Sequence, residues 1–280
     1  MNAIFSIFPK FLRKLSAEQL AETIHKVGLD TTNLVIRDGF WCKPGSLAAD
    51  VPAFLKTMEK ADIKVHFATA GFMPADILTD DTAVRVLADN GVREFRLGYY
   101  KGGDEPGKTL DTARAEMVQL ADLCDRLDVK AVYQIHHGTG IPSPSAIWHV
   151  VNGLPGEHIG VMLDPGNQAN EGFEKWGRAT KLLGENVAAI GVKDARVTQD
   201  TSRIDEEDKG WGTAWTTLDK GITNWYELVR SLDAIDFDGT FVWMPFYNEG
   251  EPDALIEKLA GEVAYLRKVV NDVTTTRKEA

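Results

Sequence analysis

Short apolar runs rich in β-branched and aromatic residues recur at intervals of roughly 30 residues, each followed by aliphatic positions at helical spacing. The runs fall at 3–8, 33–37, 64–68, 92–97, 131–135, 159–163, 188–193 and 239–243. Alternation of strand and helix predicts an α/β protein with a parallel sheet, and about eight units is the number that closes a barrel. Among the helical stretches, Ser16, Ala17, Glu18 and Gln19 form a capping box, and Leu20, Ile24 and Val27 share one face before Gly28. Similar stripes at 51–61, 79–89, 110–127, 224–232 and 254–270 predict helices that cover the strands.

No Pro-, Ser- or Gly-rich linker divides the chain, and the one long connection is 195–223. One domain is expected over 1–273, followed by a polar, aperiodic tail at 274–280. The run at 3–8 follows no basic residue and meets Pro9 and Lys10 at once, so it reads as a strand and not as a signal peptide. Periodicity leaves a doubly wound open sheet as the competing architecture.

Composition narrows the partners. The 280 residues carry 31 basic and 42 acidic groups, a net charge of -11, with no Lys/Arg cluster, so nucleic acid is not an expected partner. Hydrophobic residues make up 44%, yet no apolar run is long enough to cross a bilayer, and no membrane partner is expected. Cys42 and Cys124 form no close-spaced pair, which suggests core thiols in a reducing, cytoplasmic compartment.

In a barrel, polar residues at the carboxyl ends of strands line the mouth. That rule selects Arg37 and Asp38, Arg96, then Gln134, His136 and His137, then Asp164 and Asn167, then Lys193 and Asp194. Converging charges of both signs suit a hydroxylated small molecule, and an anionic one would favour the arginines and Lys193. Plainer readings stand beside these. Arg37–Asp38 and Lys193–Asp194 also fit local ion pairs, and Asp164 before Pro165-Gly166 also fits a turn cap. Of the adjacent His136 and His137, strand alternation turns one to the pocket. Trp41, Tyr99, Trp211, Trp215 and Trp243 are candidates to stack on a sugar face, Trp243 being equally a core residue.

The ordered series Tyr133-Gln134-Ile135-His136-His137-Gly138-Thr139, Met162-Leu163-Asp164-Pro165-Gly166-Asn167, Val192-Lys193-Asp194, Lys220-Gly221 with Trp225, and Phe237-Asp238-Gly239-Thr240 resembles the later strand signatures of the xylose isomerase-like sugar isomerases and epimerases. The resemblance implies a (β/α)8 TIM barrel, favours His136 as the pocket-facing histidine, and implies a sugar or keto-sugar as the small-molecule partner. A homo-oligomer is compatible with it. It further implies one divalent metal, Mg or Mn, held by Glu, Asp, His and Glu. The matching positions here are Gln134, Asp164, Gly191 and Met244, so most of that ligand set is lost. The expectation is proton transfer beside a carbonyl without the usual metal. Asp164 or His136 would be the base and Lys193 the electrophile, while Arg37, Arg96, Trp41, Gln134, His137, Asn167, Asp194 and Trp211 would bind substrate. A catalytically silent barrel that binds a sugar or supports a partner subunit is the alternative.

A rival signal is the segment 102–109, where Gly102, Gly107, Lys108 and Thr109 fit the phosphate-loop pattern of a nucleotide hydrolase. Asp104 and Glu105 would put negative charge in the phosphate cradle, and the motif follows about the fourth strand instead of the first. The fragment Gly138-Thr139-Gly140 is weaker still, because Pro142 and Pro144 stand where a dinucleotide-binding helix would start.

Overall fold

A computed structural model describes residues 1, 3–247 and 252–279. Eight parallel strands form the sheet: β1 (Ile4–Ile7), β2 (Leu34–Val35), β3 (Phe67–Thr69), β4 (Glu94–Arg96), β5 (Lys130–Gln134), β6 (Ile159–Leu163), β7 (Val187–Val192) and, after the hairpin of β8 (Asp194–Gln199) and β9 (Trp211–Thr216), β10 (Thr240–Trp243). The order is β1-β10-β7-β6-β5-β4-β3-β2. Its two edges meet where Ile7 bridges Thr32, the Asn33 amide donates to the Ile7 carbonyl at 2.9 Å, and Ser6 Oγ donates to Asn33 Oδ1 at 2.8 Å. The sheet is therefore a (β/α)8 barrel, and the open-sheet alternative is excluded.

The two-residue period of a strand sorts side chains between two cores. Phe95, Tyr133, Val161, Leu163, Ile190, Phe241 and Trp243 belong to the outer core beneath the helices. Val35, Phe67, Val132, Met162, Ala189 and Val242 belong to the second cluster, inside the barrel. The same alternation, continued two residues past this inner layer, or four for Lys193, turns Arg37, Thr69, Arg96, Gln134, Asp164, Lys193 and Met244 inward at the carboxyl end. This is the fold's contribution to the site.

The helices are α1 (Ala17–Lys26), α2 (Leu47–Lys60), α3 (Pro74–Thr79), α4 (Thr82–Asp89), α5 (Pro106–Leu127), α6 (Pro144–Val151), α7 (Pro165–Asn170), α8 (Trp176–Leu183), α9 (Trp225–Asp233) and α10 (Pro252–Glu279). The capping box of α1 forms as read: Ser16 Oγ accepts from the Gln19 amide and Gln19 Oε1 from the Ser16 amide. The stripe at 79–89 divides instead into α3 and α4 at Asp80 and Asp81. The residues expected to form a polar tail continue α10 to Glu279, where Arg277 Nη1 donates to the Asp233 carbonyl at 2.8 Å and fastens the last turns to α9. Among the described residues, no helix is long and apolar enough to cross a membrane.

Candidate active site

A cavity of about 210 Å³ opens at the carboxyl mouth. Its polar lining is Lys10, Arg37, Arg96, Gln134, His136 and Lys193, with Thr69, and its apolar lining is Phe8, Tyr99, Met244 and Phe246. A larger recess of about 500 Å³ lies between α9 and α10, and none of its lining residues lines the cavity at the mouth.

One hydrogen-bonded network runs round the mouth. Arg96 on β4 is 3% exposed; its Nη1 donates to Gln134 Oε1 at 3.0 Å and to the Tyr99 hydroxyl, and its Nη2 to the Ala70 carbonyl at 2.9 Å. Gln134 Nε2 donates to Asp164 Oδ2 at 2.5 Å. Lys193 Nζ lies 3.3 Å from that same oxygen and donates to Asn167 Oδ1 at 2.8 Å. Asn167 Oδ1 also accepts from His137 Nδ1 at 3.0 Å.

Asp164 satisfies both readings that the sequence left open. Its Oδ1 accepts from the Asn167 amide at 2.9 Å and caps α7, while its Oδ2 holds Gln134 and Lys193. The Lys193–Asp194 ion pair does not form. Lys193 turns inward to Asp164, whereas Asp194 turns away and ties down the far end of the hairpin connection, accepting from Thr223 Oγ1 at 2.9 Å and Trp225 Nε1 at 3.0 Å. Nor do Arg37 and Asp38 pair: the Arg37 guanidinium lies 5.7 Å from the Phe8 ring centroid, and Asp38 is exposed.

The electrostatics follow from burial. Lys193 is 2% exposed, and its pKa is lowered by burial, opposed by the Asp164 carboxylate. Aromatic faces complete its surroundings, with Trp215 at 4.8 Å and Phe246 at 4.5 Å from Nζ. Burial also lowers the pKa of His136, with its hydrogen bond to the His137 carbonyl opposing, so the imidazole is neutral at pH 7. That bond, at 2.7 Å, runs from His136 Nδ1 to an oxygen that can only accept. Nδ1 therefore carries the proton, and Nε2 keeps a basic lone pair. Lys10 and Arg37 are lowered as well, by burial first and then by neighbouring cations, Arg37 acting on Lys10 and Arg96 on Arg37.

Most of the sequence-selected residues converge here; besides Asp38, which is exposed, and Trp243, which lies in the outer core, three do not. Trp41 packs behind the loop after β2, its Nε1 donating to the Leu15 carbonyl at 3.1 Å and its ring 5.8 Å from Phe54. Trp211, 54% exposed, stands at the far end of the hairpin, and Trp215 takes the place at the mouth instead. Asp194 is the third. His136 and His137 follow β5 and lie outside it, so strand alternation does not separate them; their rings stack at 4.6 Å, with His136 on the cavity and His137 behind it. Lys10, Phe8, Thr69 and Phe246 were missed, although Lys10 follows the last residue of β1 closely enough for the strand-end rule to select it. The phosphate-loop segment stands at the rim outside this cavity, and its Lys108 pairs with Glu105 at 3.2 Å, both side chains exposed.

The four positions that correspond to the metal ligands do meet. Met244 Sδ lies 3.5 Å from Gln134 Nε2, and a Cβ on Gly191 would lie 2.8 Å from Asp164 Oδ2. What gathers there is an amide, a thioether, a bare backbone and a carboxylate already paired with an ammonium.

A closed parallel barrel with its polar network around a cavity at the carboxyl mouth defines a (β/α)8 protein with its candidate site at that end. The xylose isomerase-like TIM barrel family matches over residues 79–268, and the chain belongs to that family. Similar solved structures include a xylose isomerase-like TIM barrel protein from Mycobacterium smegmatis in complex with magnesium, 12% identical, with a TM-score of 0.67 over 96% of this chain and 97% of that one. D-psicose 3-epimerase in the presence of D-fructose is 14% identical, with a TM-score of 0.67 over 95% of this chain and 99% of that one. The 3-keto-D-glucoside 4-epimerase of E. coli is 12% identical, with a TM-score of 0.66 over 96% and 99%. At such identity the likeness is one of fold. No curated protein matches the chain in sequence.

Proposed function

We propose that the protein is an isomerase or epimerase of a sugar or keto-sugar that moves a proton on the carbon beside a carbonyl. The observation that carries this reading is the lining of one cavity by a neutral imidazole with a free Nε2 and by a buried ammonium. His136 Nε2 takes the proton, and Lys193 Nζ stabilises the negative charge that develops on the carbonyl oxygen. Protonation of the opposite face of the same carbon from solvent water, with His136 releasing its proton to solvent, gives epimerisation; return of the proton by His136 to the former carbonyl carbon, with the hydroxyl proton lost as the new carbonyl forms, gives isomerisation. Asp164 holds Lys193 in place and is not the base, because both its oxygens are engaged. Arg37, Arg96 and the aromatic walls orient the substrate.

The donors present do not fit a divalent metal. A hard cation requires several anionic or carbonyl oxygens, and here a single carboxylate is shared with an ammonium. The positive charge at this point of the barrel is therefore assigned to Lys193.

Deuterium exchange into carbon-bound positions of ketoses, aldoses and keto-sugars in D₂O, followed by NMR, tests the proposal. Exchange is expected with and without chelator, and to fall by roughly 10²–10⁴-fold in His136→Asn. Exchange that needs added Mg or Mn, or that survives intact in His136→Asn, would overturn it. The substituted metal positions favour one other reading, a silent sugar-binding barrel, for which the signature is binding with no exchange in wild type.

A further inference from the structure

Three of the cavity's cations have no acidic partner among the described residues. Lys193 is balanced by Asp164. Among the described residues, no carboxylate pairs with Lys10 or Arg37, and Arg96 contacts only neutral acceptors. Arg96 Nε is moreover buried with no hydrogen-bond partner at all. A buried guanidinium that keeps an orphan N–H is costly unless a ligand completes it. Three unbalanced cations thus line one cavity in a protein whose net charge is -11. Self-repulsion opposes such a cluster: burial lowers the pKa values of Lys10 and Arg37, and neighbouring cations lower both further. Neutral hydroxyls do not require it, because side-chain amides and hydroxyls bind them without that cost.

We infer that the cavity takes an anionic carbonyl compound, a keto-sugar derivative bearing a carboxylate or phosphate, with Arg37, Lys10 and Arg96 on the oxyanion and Lys193 on the carbonyl oxygen. Both anions share the geometry that a guanidinium fork matches. The cavity of about 210 Å³ corresponds to about seven waters at liquid volume, room for one small sugar acid. This inference rests on the proposed function for the role of Lys193 but not for the anion subsite itself.

A matched series tests it: D-fructose, D-fructuronate and D-fructose 6-phosphate, which keep one ketone and differ at the far end by hydroxyl, carboxylate or phosphate. Malonate and inorganic phosphate serve as probes free of sugar stereochemistry. Affinity is measured by calorimetry at fixed ionic strength for wild type, Arg37→Met and Lys10→Met. At least one anionic sugar is expected to bind roughly tenfold or more tightly than D-fructose, and malonate or phosphate to compete with it. Either substitution should remove most of that preference while leaving the melting temperature near that of wild type. Which anion wins separates carboxylate from phosphate. Equal or tighter binding of D-fructose, an anion preference unchanged in both variants, or no binding by any anionic probe would each overturn the inference. Anion binding without carbon–deuterium exchange would keep the subsite and remove the proposed reaction. Exchange on neutral sugars with no anion preference would do the reverse.

Discussion

Removal of the Lys193 charge should expose how much the fold depends on its pairing with Asp164. In Lys193→Met the volume is nearly kept, but Asp164, 0% exposed, loses the only cation among the described residues that reaches it. Gln134 Nε2 and the Asn167 amide remain as donors. Neutralising a carboxyl at pH 7, against an ordinary aspartate value near 3.9, costs about 1.4 kcal/mol per pH unit, or about 4 kcal/mol. Breaking a buried ion pair from one side costs about 3–5 kcal/mol, which agrees. Urea unfolding at pH 7 should show a loss of that order, with the melting temperature down by roughly 10 °C. The sign with pH is fixed: an unpaired buried carboxyl binds its proton more tightly folded than unfolded, so the deficit shrinks as pH falls toward 4. In Lys193→Met/Asp164→Asn neither charge remains, Asn still caps α7, and most of the loss should return. A single-variant deficit below about 1 kcal/mol, or a double variant as weak as the sum of the singles, would refute the reasoning.

Two further measurements probe the scaffold of the mouth. Glu262 on α10 accepts from the Leu218 amide at 2.9 Å and the Tyr247 hydroxyl at 2.5 Å, and burial pushes its carboxyl up to about 7. The folded state keeps this proton above the pH at which the unfolded chain releases it, so wild-type stability includes a decline of up to about 3 kcal/mol between pH 4.5 and 7. Glu262→Gln should flatten that part of the urea-unfolding profile, and an unchanged slope would exclude the assignment. In Gly221→Ala the new Cβ would collide with the Asp194 carboxylate, so the loop must leave the group that holds Thr223 and Trp225. A loss of about 2–3 kcal/mol is expected, and a melting temperature equal to wild type would show that the loop yields freely.

The barrel was legible because its evidence is local: every strand of the sheet lies within or beside an apolar run, and alternation along it decides which side chains face inward. The site was legible so far as it follows from position at a strand end, which found Arg37, Arg96, Gln134, Asp164 and Lys193. Partner choice was not legible. Lys193 has Asp194 beside it in the chain but Asp164 across the barrel, and only the inward turn of both decides between them. The β8–β9 hairpin escaped notice because its strands carry polar and exposed residues, among them Arg196, Thr198 and Trp211, and no apolar alternation. Trp215 therefore arrived at the mouth from a segment read as loop, and Trp211, four residues away, was preferred without the register that places it outside.

Because the cation beside Asp164 is a side chain, every folded copy of the chain contains one. It requires no loading from solution, is not diluted by fractional occupancy, and is not displaced by a metal higher in the affinity series. It can, however, be lost in a way a dication cannot, by giving up a proton, and the lowered pKa of Lys193 brings that loss nearer to neutrality than in an ordinary lysine. Under the proposed function, this position depends on the acidity of the surroundings and not on their metal supply.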